Sequence, residues 1–503
     1  MAFHESGDGP SHGPFYERLG AQDASFLGLE DAKSPMHVGA VLVFEEAPLR
    51  APDGTLDVER IRQAIGARLH RVPRFRQKVA WVPGEKHPVW IDDDRFNLAY
   101  HVRHSALPRP GDAATLERLV GRIMSQQLDR GKPLWEMWFV EGLAGGRLAL
   151  ISKTHHCMID GVAGAELISV ILDLDPEAAA QAPPAWRPRP APSGAQLVAD
   201  ALLARATQPL RALRALGDAL RGPLEAAASV REAAAGVVEV LAPSFHSASP
   251  TPLNVASGPH RRYATLEHRV ADYKRVKDAL GGTLNDVVLA TVAGALREFF
   301  QGRALETRGL EVRAMVPVSV RPKGGDGKLG NRITQMVAEL PVGLADPIER
   351  LKVVREIMRD LKESRQALGG RVLTQISEWT VPNVLVQAVR LSVRSRPYNL
   401  VVTNVPGPQI PLYFLGARMR ASYPVAPLSP GQALNVALFS YDGGLYWGLN
   451  ADWDALPDLA QLARHLDAAF GELEHAAGVG APETPLAPRP RARARRSHSK
   501  ESA

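Results

Sequence analysis

The feature that most constrains this chain is a break in its middle. From 181 to 250 the sequence turns rich in proline and alanine. Pro183, Pro184, Pro188, Pro190 and Pro192 open the break, and Ser249-Pro250-Thr251-Pro252 closes it. Proline fixes φ and removes a backbone donor, so such a stretch cannot extend a sheet or a helix across the break. On both sides, short apolar runs alternate with segments of helical period. A chain of 503 residues is too long for one hydrophobic core. The break therefore predicts two α/β blocks, 15–180 and 251–478, joined by a linker and helical insert at 181–250. The polar ends, 1–14 and 479–503, are expected to be disordered.

In the first block, Ala40 to Phe44, Met137 to Val140 and Leu148 to Ser152 read as buried strands. Val79–Val82 and Val89–Ile91 read as a hairpin closed by Pro83-Gly84. Asp57 to Leu69 and Thr115 to Leu128 carry apolar residues at helical spacing. In the second block, Tyr263–Leu266, Val312–Val320, Gln335–Leu340 and Asn399–Asn404 read as strands. Leu434–Tyr441 and Leu445–Ala451 pair across Asp442-Gly443-Gly444. Helices are predicted over Val270–Leu280, Leu284–Phe300, Ile348–Leu368 and Asp458–Ala476. Within the insert, Ala195 to Leu241 is helical in pattern. Its leucine stripe (Leu210, Leu213, Leu216, Leu220, Leu224) lies beside Arg205, Arg211, Arg214 and Arg221, which suits a lipid surface or a packed core.

No run of apolar residues is long enough to span a bilayer. The net charge of +6 is concentrated at one end. Beyond residue 480, five arginines and Lys500 stand against Glu483 and Glu501, a net +4, which leaves +2 for the rest. The body is too nearly neutral for a nucleic-acid surface, and the tail reads as a solvated end, with contact to anionic lipid as the alternative. The one cysteine, Cys157, excludes an intrachain disulfide and fits a reducing, cytoplasmic compartment. The N-terminus lacks the basic and apolar regions of a signal peptide.

Chemistry concentrates in Lys153-Thr154-His155-His156-Cys157-Met158-Ile159-Asp160-Gly161, between the Leu148 strand and a helix expected over Val162–Leu172. Carboxyl ends of strands are where α/β folds place chemistry. Adjacent residues of a strand point to opposite sides, so His155 and His156 are poorly placed to chelate one metal ion. A structural pair inside a core is one reading. The other is general-base catalysis, in which one neutral imidazole takes a proton from a hydroxyl. Asp160 then orients the imidazole or serves the scaffold, and Gly161 lets the chain turn into the helix. No GxSxG elbow offers a serine nucleophile, which favours direct transfer.

His155-His156-Cys157-Met158-Ile159-Asp160-Gly161 matches the HHxxxDG motif of the CoA-dependent acyltransferase superfamily. The chain resembles the bacterial wax ester synthase/acyl-CoA:diacylglycerol acyltransferase family in further stretches, in order. They are Asp23-Ala24-Ser25-Phe26-Leu27, Pro35-Met36-His37-Val38-Gly39, Pro133-Leu134-Trp135, Asn285-Asp286, Ser319-Val320-Arg321-Pro322 with Gly330-Asn331, and Asn404-Val405-Pro406-Gly407-Pro408. The resemblance implies two chloramphenicol-acetyltransferase-like α/β domains, each a mixed sheet flanked by helices, with the active site at their interface. It implies His156 as the base and Asp160 as scaffold, paired with an arginine. Asn285 is either an oxyanion donor or, with Asp286, a helix cap. Arg321 is a candidate partner of Asp160, and Pro133-Leu134-Trp135 a packing or acyl-tunnel element. The implied substrates are a long-chain acyl-CoA and a diacylglycerol or long-chain alcohol, with no cofactor and with peripheral attachment to membrane or lipid droplet. Two other classes share parts of this pattern: a condensation-type enzyme forming amides, and a catalytically silent lipid-binding protein.

Overall fold

The computed structural model describes residues 15–158, 171–178, 185–203, 247–319, 333–367 and 396–479. The expected disordered ends, most of the helix after the histidines, the insert from 204 to 246, and the Arg321 and Asn331 stretch lie outside them.

Continuous apolar runs form the central strands of two six-stranded mixed sheets. The first sheet runs, in spatial order, Tyr413–Phe414, Ala417–Val425, His37–Glu45, Arg147–His155, Trp135–Leu143 and Val102–Ala106. The second runs Ile333–Leu340, Val312–Ser319, Leu400–Pro406, Leu434–Tyr441, Gly444–Asp452 and Arg261–Arg269. The helix Leu284–Gln301 packs against the second sheet and buries Val287 through Leu296 together with Phe299 and Phe300. The helices Pro347–Ala367 and Leu459–Ala476 lie beside it. A small third sheet contains the expected hairpin, Gln77–Trp81 with Pro88–Asp92, and the short strand Glu17–Arg18.

The strand Ala417–Val425 belongs to the second block in sequence but pairs with His37–Glu45 in the first sheet. Its backbone is held down by the second block: Tyr263 Oη donates to Pro424 O at 2.9 Å and Asn450 Nδ2 to Ala426 O at 2.7 Å. At Gly448 a Cβ would lie 1.8 Å from Pro424 O, so only glycine lets the two backbones approach this closely.

A second contact joins the halves. The strand Arg261–Arg269 is the edge of its sheet, and the helix Ala113–Ser125 of the first half covers that edge. Ser125 Oγ accepts the Arg261 N–H at 2.8 Å. Glu117 Oε1 accepts both the N–H and the hydroxyl of Thr265 at 2.7 Å. Helix side chains thus satisfy donors that a neighbouring strand would otherwise take.

The first part of the linker is docked. Arg189 donates three hydrogen bonds of 2.9 Å to Asp92. The helix Gly194–Leu203 packs Leu197 and Ala201 on Val82 and Val89, and leaves Leu202 and Leu203 exposed. Among the described residues no single helix is long and apolar enough to cross a membrane.

Candidate active site

The site is built on the strand Arg147–His155, which lies antiparallel to His37–Glu45 with His37 opposite His155. Gly39 permits this pairing, because a Cβ there would meet Ser152 O at 2.0 Å. After His155 the chain bends into a single tight turn, His156–Met158. The alternation expected of a strand is carried into the turn: His155 is wholly buried and His156 half-buried.

Two backbone bonds fix the turn. His155 N–H donates to Leu134 O at 2.9 Å, and His156 N–H to Met36 O at 2.8 Å. The Pro133-Leu134-Trp135 and Pro35-Met36-His37 stretches therefore each supply one clamp. The third stretch, Asp23 to Leu27, lies on the helix Ala21–Leu29, from which Phe26 stacks on the His156 ring at 3.9 Å. Trp135 is packing: it stacks between Phe75 and His101, and its indole N–H donates to Phe75 O at 2.8 Å.

Beneath the turn lies a buried polar cluster. Cys157 N–H donates to His155 Nδ1 at 3.1 Å, which makes Nδ1 an acceptor and leaves the ring proton on Nε2. That Nε2 points at Glu30 Oε2, 3.5 Å away, and His37 Nε2 lies 3.3 Å from Glu30 Oε1. Glu30 also receives the Met36 N–H at 3.2 Å and the Arg130 guanidinium at 2.9 Å. Burial would push its carboxyl up, but the hydrogen bonds from His155 and His37 hold it well below the usual carboxylate range. Next on the strand, Lys153 is buried and donates to Ile123 O at 2.9 Å and to Gln126 O. These carbonyls end the helix Ala113–Ser125, where a cation is favoured. Burial draws the Lys153 ammonium down to about 8.

His156 differs from its neighbour. Its Nδ1 is buried and meets no hydrogen-bond partner among the described residues. Burial pulls the ring's pKa down to about 4, so it is neutral at pH 7 with a lone pair free to take a proton. Cys157 is buried beside Leu27 and Leu134, and burial drives its thiol well above the ordinary value. Among the described residues no group of His, Cys, Asp or Glu is set to hold a metal ion.

Asn285 sits in the first turn of the helix Leu284–Gln301, half-buried. It is not the cap: Thr283 is, with its Oγ1 accepting the Asp286 N–H at 3.2 Å and Asp286 Oδ2 accepting the Thr283 N–H at 2.8 Å. This capping box bears out the cap reading for Asp286 and corrects it for Asn285, because Thr283 supplies the N-cap oxygen. No hydrogen bond or ion pair among the described residues joins Asn285 to the histidine turn. Asp160 and Gly161 lie outside the described residues. Glu30 and Arg130 were missed in the sequence. The available signal for Glu30 was an acid directly after the apolar Phe26-Leu27-Gly28-Leu29, a few residues before His37.

Two cavities lie away from the turn. One of about 320 Å³ is lined by Lys78, Asp93, Tyr100, His101 and Lys132, and one of about 80 Å³ lies at the seam between Val41, Glu117, Tyr263 and Tyr423. Neither is lined by His156.

Residues 19–288 match the family model of the wax ester synthase/diacylglycerol acyltransferase catalytic domain, and residues 329–474 that of the C-terminal domain of the same family. A putative diacylglycerol O-acyltransferase of Mycobacterium tuberculosis is 35% identical over 467 residues, covering 91% of this chain and 90% of the relative. A probable diacylglycerol O-acyltransferase of the same organism is 34% identical over 461 residues, covering 90% and 94%. The solved wax ester synthase/diacylglycerol acyltransferase from Marinobacter aquaeolei is similar in structure, with a TM-score of 0.67, 26% identity, and coverage of 92% of this chain and 100% of that one. The starter condensation domain of rhizomide synthetase shares the fold, with a TM-score of 0.54 at 13% identity and coverage of 92% and 94%.

Proposed function

Because the chain belongs to the wax ester synthase/diacylglycerol acyltransferase family, we propose that it moves a long-chain acyl group from acyl-CoA to a diacylglycerol or long-chain alcohol, with His156 as general base. The observation that carries the assignment of the base is the contrast within the histidine pair. The His155 ring is wholly buried, with Nδ1 accepting the Cys157 N–H and Nε2 3.5 Å from the Glu30 carboxylate, whereas the His156 ring is half-buried and neutral, its Nδ1 meeting no hydrogen-bond partner among the described residues.

The reaction is a direct transfer. The His156 imidazole takes the acceptor hydroxyl proton as the oxygen attacks the thioester carbonyl. The tetrahedral intermediate collapses with cleavage of the C–S bond. The CoA sulfur leaves as thiolate and takes the proton back from the imidazolium. The thioester is already activated, so no cofactor is assigned. Asn285 is assigned as donor to the carbonyl oxygen, a role supported by its half-buried place in the first turn of the helix, outside the Thr283–Asp286 capping box. Asp160 is assigned to the scaffold, on the motif alone.

We assign the protein a cytoplasmic position at the surface of a membrane or lipid droplet, where such acceptors and products partition. Support comes from the outward-facing Leu202 and Leu203 on the helix Gly194–Leu203. Replacing both with glutamate should reduce co-flotation with vesicles of phosphatidylglycerol; unchanged flotation refutes the contact.

The central test is His156→Ala with palmitoyl-CoA. Turnover should fall by at least about a hundredfold while the thermal midpoint stays near that of the parent. Near-parental turnover overturns the assignment. A competition assay offering hexadecanol and diacylglycerol together decides the acceptor.

A further inference from the structure

We propose that Arg261 is a positioning residue for His156, through which the second half of the molecule holds the loop that clamps the histidine turn. The inference rests on the reading of His156 as the base.

Arg261 is the first residue of the edge strand Arg261–Arg269 and is 3% exposed. One side of its guanidinium serves the second half. Nη1 donates to Gly258 O at 2.8 Å and to His260 O at 3.0 Å, and lies 3.9 Å from Asp452 Oδ2. That oxygen also accepts the Gly258 N–H at 2.7 Å, so the acceptors around Nη1 are themselves fixed. The other side reaches into the first half: Nη2 donates to Lys33 O at 2.6 Å.

Lys33 lies in a short loop with few degrees of freedom. Asp31 Oδ1 accepts the N–H groups of Lys33 and Ser34, both at 2.8 Å. Met36 N–H is held by Glu30 Oε1 at 3.2 Å. Met36 O accepts the His156 N–H at 2.8 Å. From Lys33 to Met36 the chain has three peptide units and spans at most about 11 Å. A displacement of Lys33 O is therefore passed to Met36, and from there to the His156 backbone and ring.

The chemistry of the side chain suits this task. A guanidinium presents a planar fork of donors and can bridge carbonyls of different segments, whereas an ammonium acts as a point charge. A buried cation is a costly way to glue two apolar surfaces, since desolvation opposes it. Its directional bonds to Gly258, His260 and Lys33 fix an angle that apolar packing would leave loose. Among the described residues the Tyr263 contact at the seam does not touch the loop. Tyr263 Oη bonds Pro424 O, on the strand that crosses between the sheets.

The test uses the full chain carrying Arg261→Gln, Arg261→Lys or, as a seam control, Tyr263→Phe. Two measurements are made: steady-state kinetics with palmitoyl-CoA and a saturating acceptor, and amide exchange by mass spectrometry of peptides covering Glu30–His37 and His155–Met158. Arg261→Gln should lower kcat by about ten- to a hundredfold, as sub-ångström misplacement of a reacting group does. KM for palmitoyl-CoA should stay within about twofold. The Met36 and His156 amides should exchange faster. Arg261→Lys should recover part of kcat, and Tyr263→Phe should leave both measurements at the parental level. Unchanged kcat and exchange in folded Arg261→Gln overturn the proposal, as does an equal effect of Tyr263→Phe. If Arg261→Gln does not fold, Arg261→Lys decides by the same two readouts. Should His156→Ala retain turnover, the base assignment fails alone, because the exchange measurement still reports whether Arg261 holds the clamp.

Discussion

The two sheets share a plan and differ in what they bury. Under the histidine strand of the first sheet, Glu30, His37, Lys153 and His155 are all inside. Against the second sheet, the helix Leu284–Gln301 buries Val287, Val288, Leu289, Ala290 and their neighbours in an almost wholly apolar core. Apolar burial is strong but non-directional. A buried hydrogen-bond network is directional, and every member left unpaired is costly. The first interior can therefore aim an imidazole, and the second supplies a rigid platform. The His155 ring belongs to that network, through the Cys157 N–H and the nearby Glu30 carboxylate, and the His156 ring stands outside it among the described residues.

The largest separation between the two interiors should come from Glu30→Ala. It leaves two imidazoles and Arg130 without their shared acceptor. We expect a loss of about 3 kcal/mol in chemical denaturation, with loss of turnover in the fraction that folds. A cost below about 1 kcal/mol would mean that the cluster is not what holds the turn. In the second interior, Leu289→Ala should cost a similar 2 to 5 kcal/mol, on the order of other buried leucines. Here kcat per folded molecule should not change; a fall in kcat would show that the platform also aims the site.

Acid should act on the first interior before the second. Burial lowers His37, His101 and His156 to about 4. Between the unfolded value of 6.5 and about 4, the unfolded chain binds protons that the folded chain refuses. Stability must then fall as pH drops through that window, by about 1.4 kcal/mol per pH unit for each proton. Glu30, depressed in the fold, adds stability that is complete above the ordinary carboxylate value and is lost as pH falls below it. Denaturation midpoints at pH 7, 5.5 and 4.5 measure the slope, and a flat profile contradicts the burial of these rings. Turnover should be level from pH 6 to 8, with its acidic limb near the His156 value of about 4 rather than 6.5. The smallest effect concerns Cys157, buried with its thiol raised. Maleimide labelling of the native protein should be no faster than its unfolding, and rapid inactivation would place the thiol at an open surface.

Elements whose signal is local were legible in the sequence. The hairpin of Val79 and Val89, the helices Asp57–Leu69 and Leu284–Phe300, and the paired strands around Asp442-Gly443 were found within a few residues of their observed ends. Ala417–Val425 was not read as a strand. Arg418, Arg420 and Pro424 interrupt its apolar pattern, although Ala417, Met419, Ala421, Ser422 and Val425 are buried once it pairs with His37–Glu45. For Asn285 the sequence leaves cap and oxyanion donor open, and the structure gives the cap to its neighbours Thr283 and Asp286. The box spans Thr283 to Asp286, a spacing that is itself local and legible in the sequence.

By itself, the sequence determined the position of the histidines at a strand end and the alternation that sets His155 apart from His156. Those follow from backbone dihedrals and side-chain periodicity, which act over a few residues. Tertiary structure alone decided that Glu30 meets His155, that Leu134 and Met36 clamp the turn, that Ala417–Val425 crosses to the other sheet, and that Arg261 reaches Lys33. Each of these depends on strand register and on how close two backbones come, as at Gly39 and Gly448. Register is set by the packing of whole sheets, and no short stretch of sequence contains it.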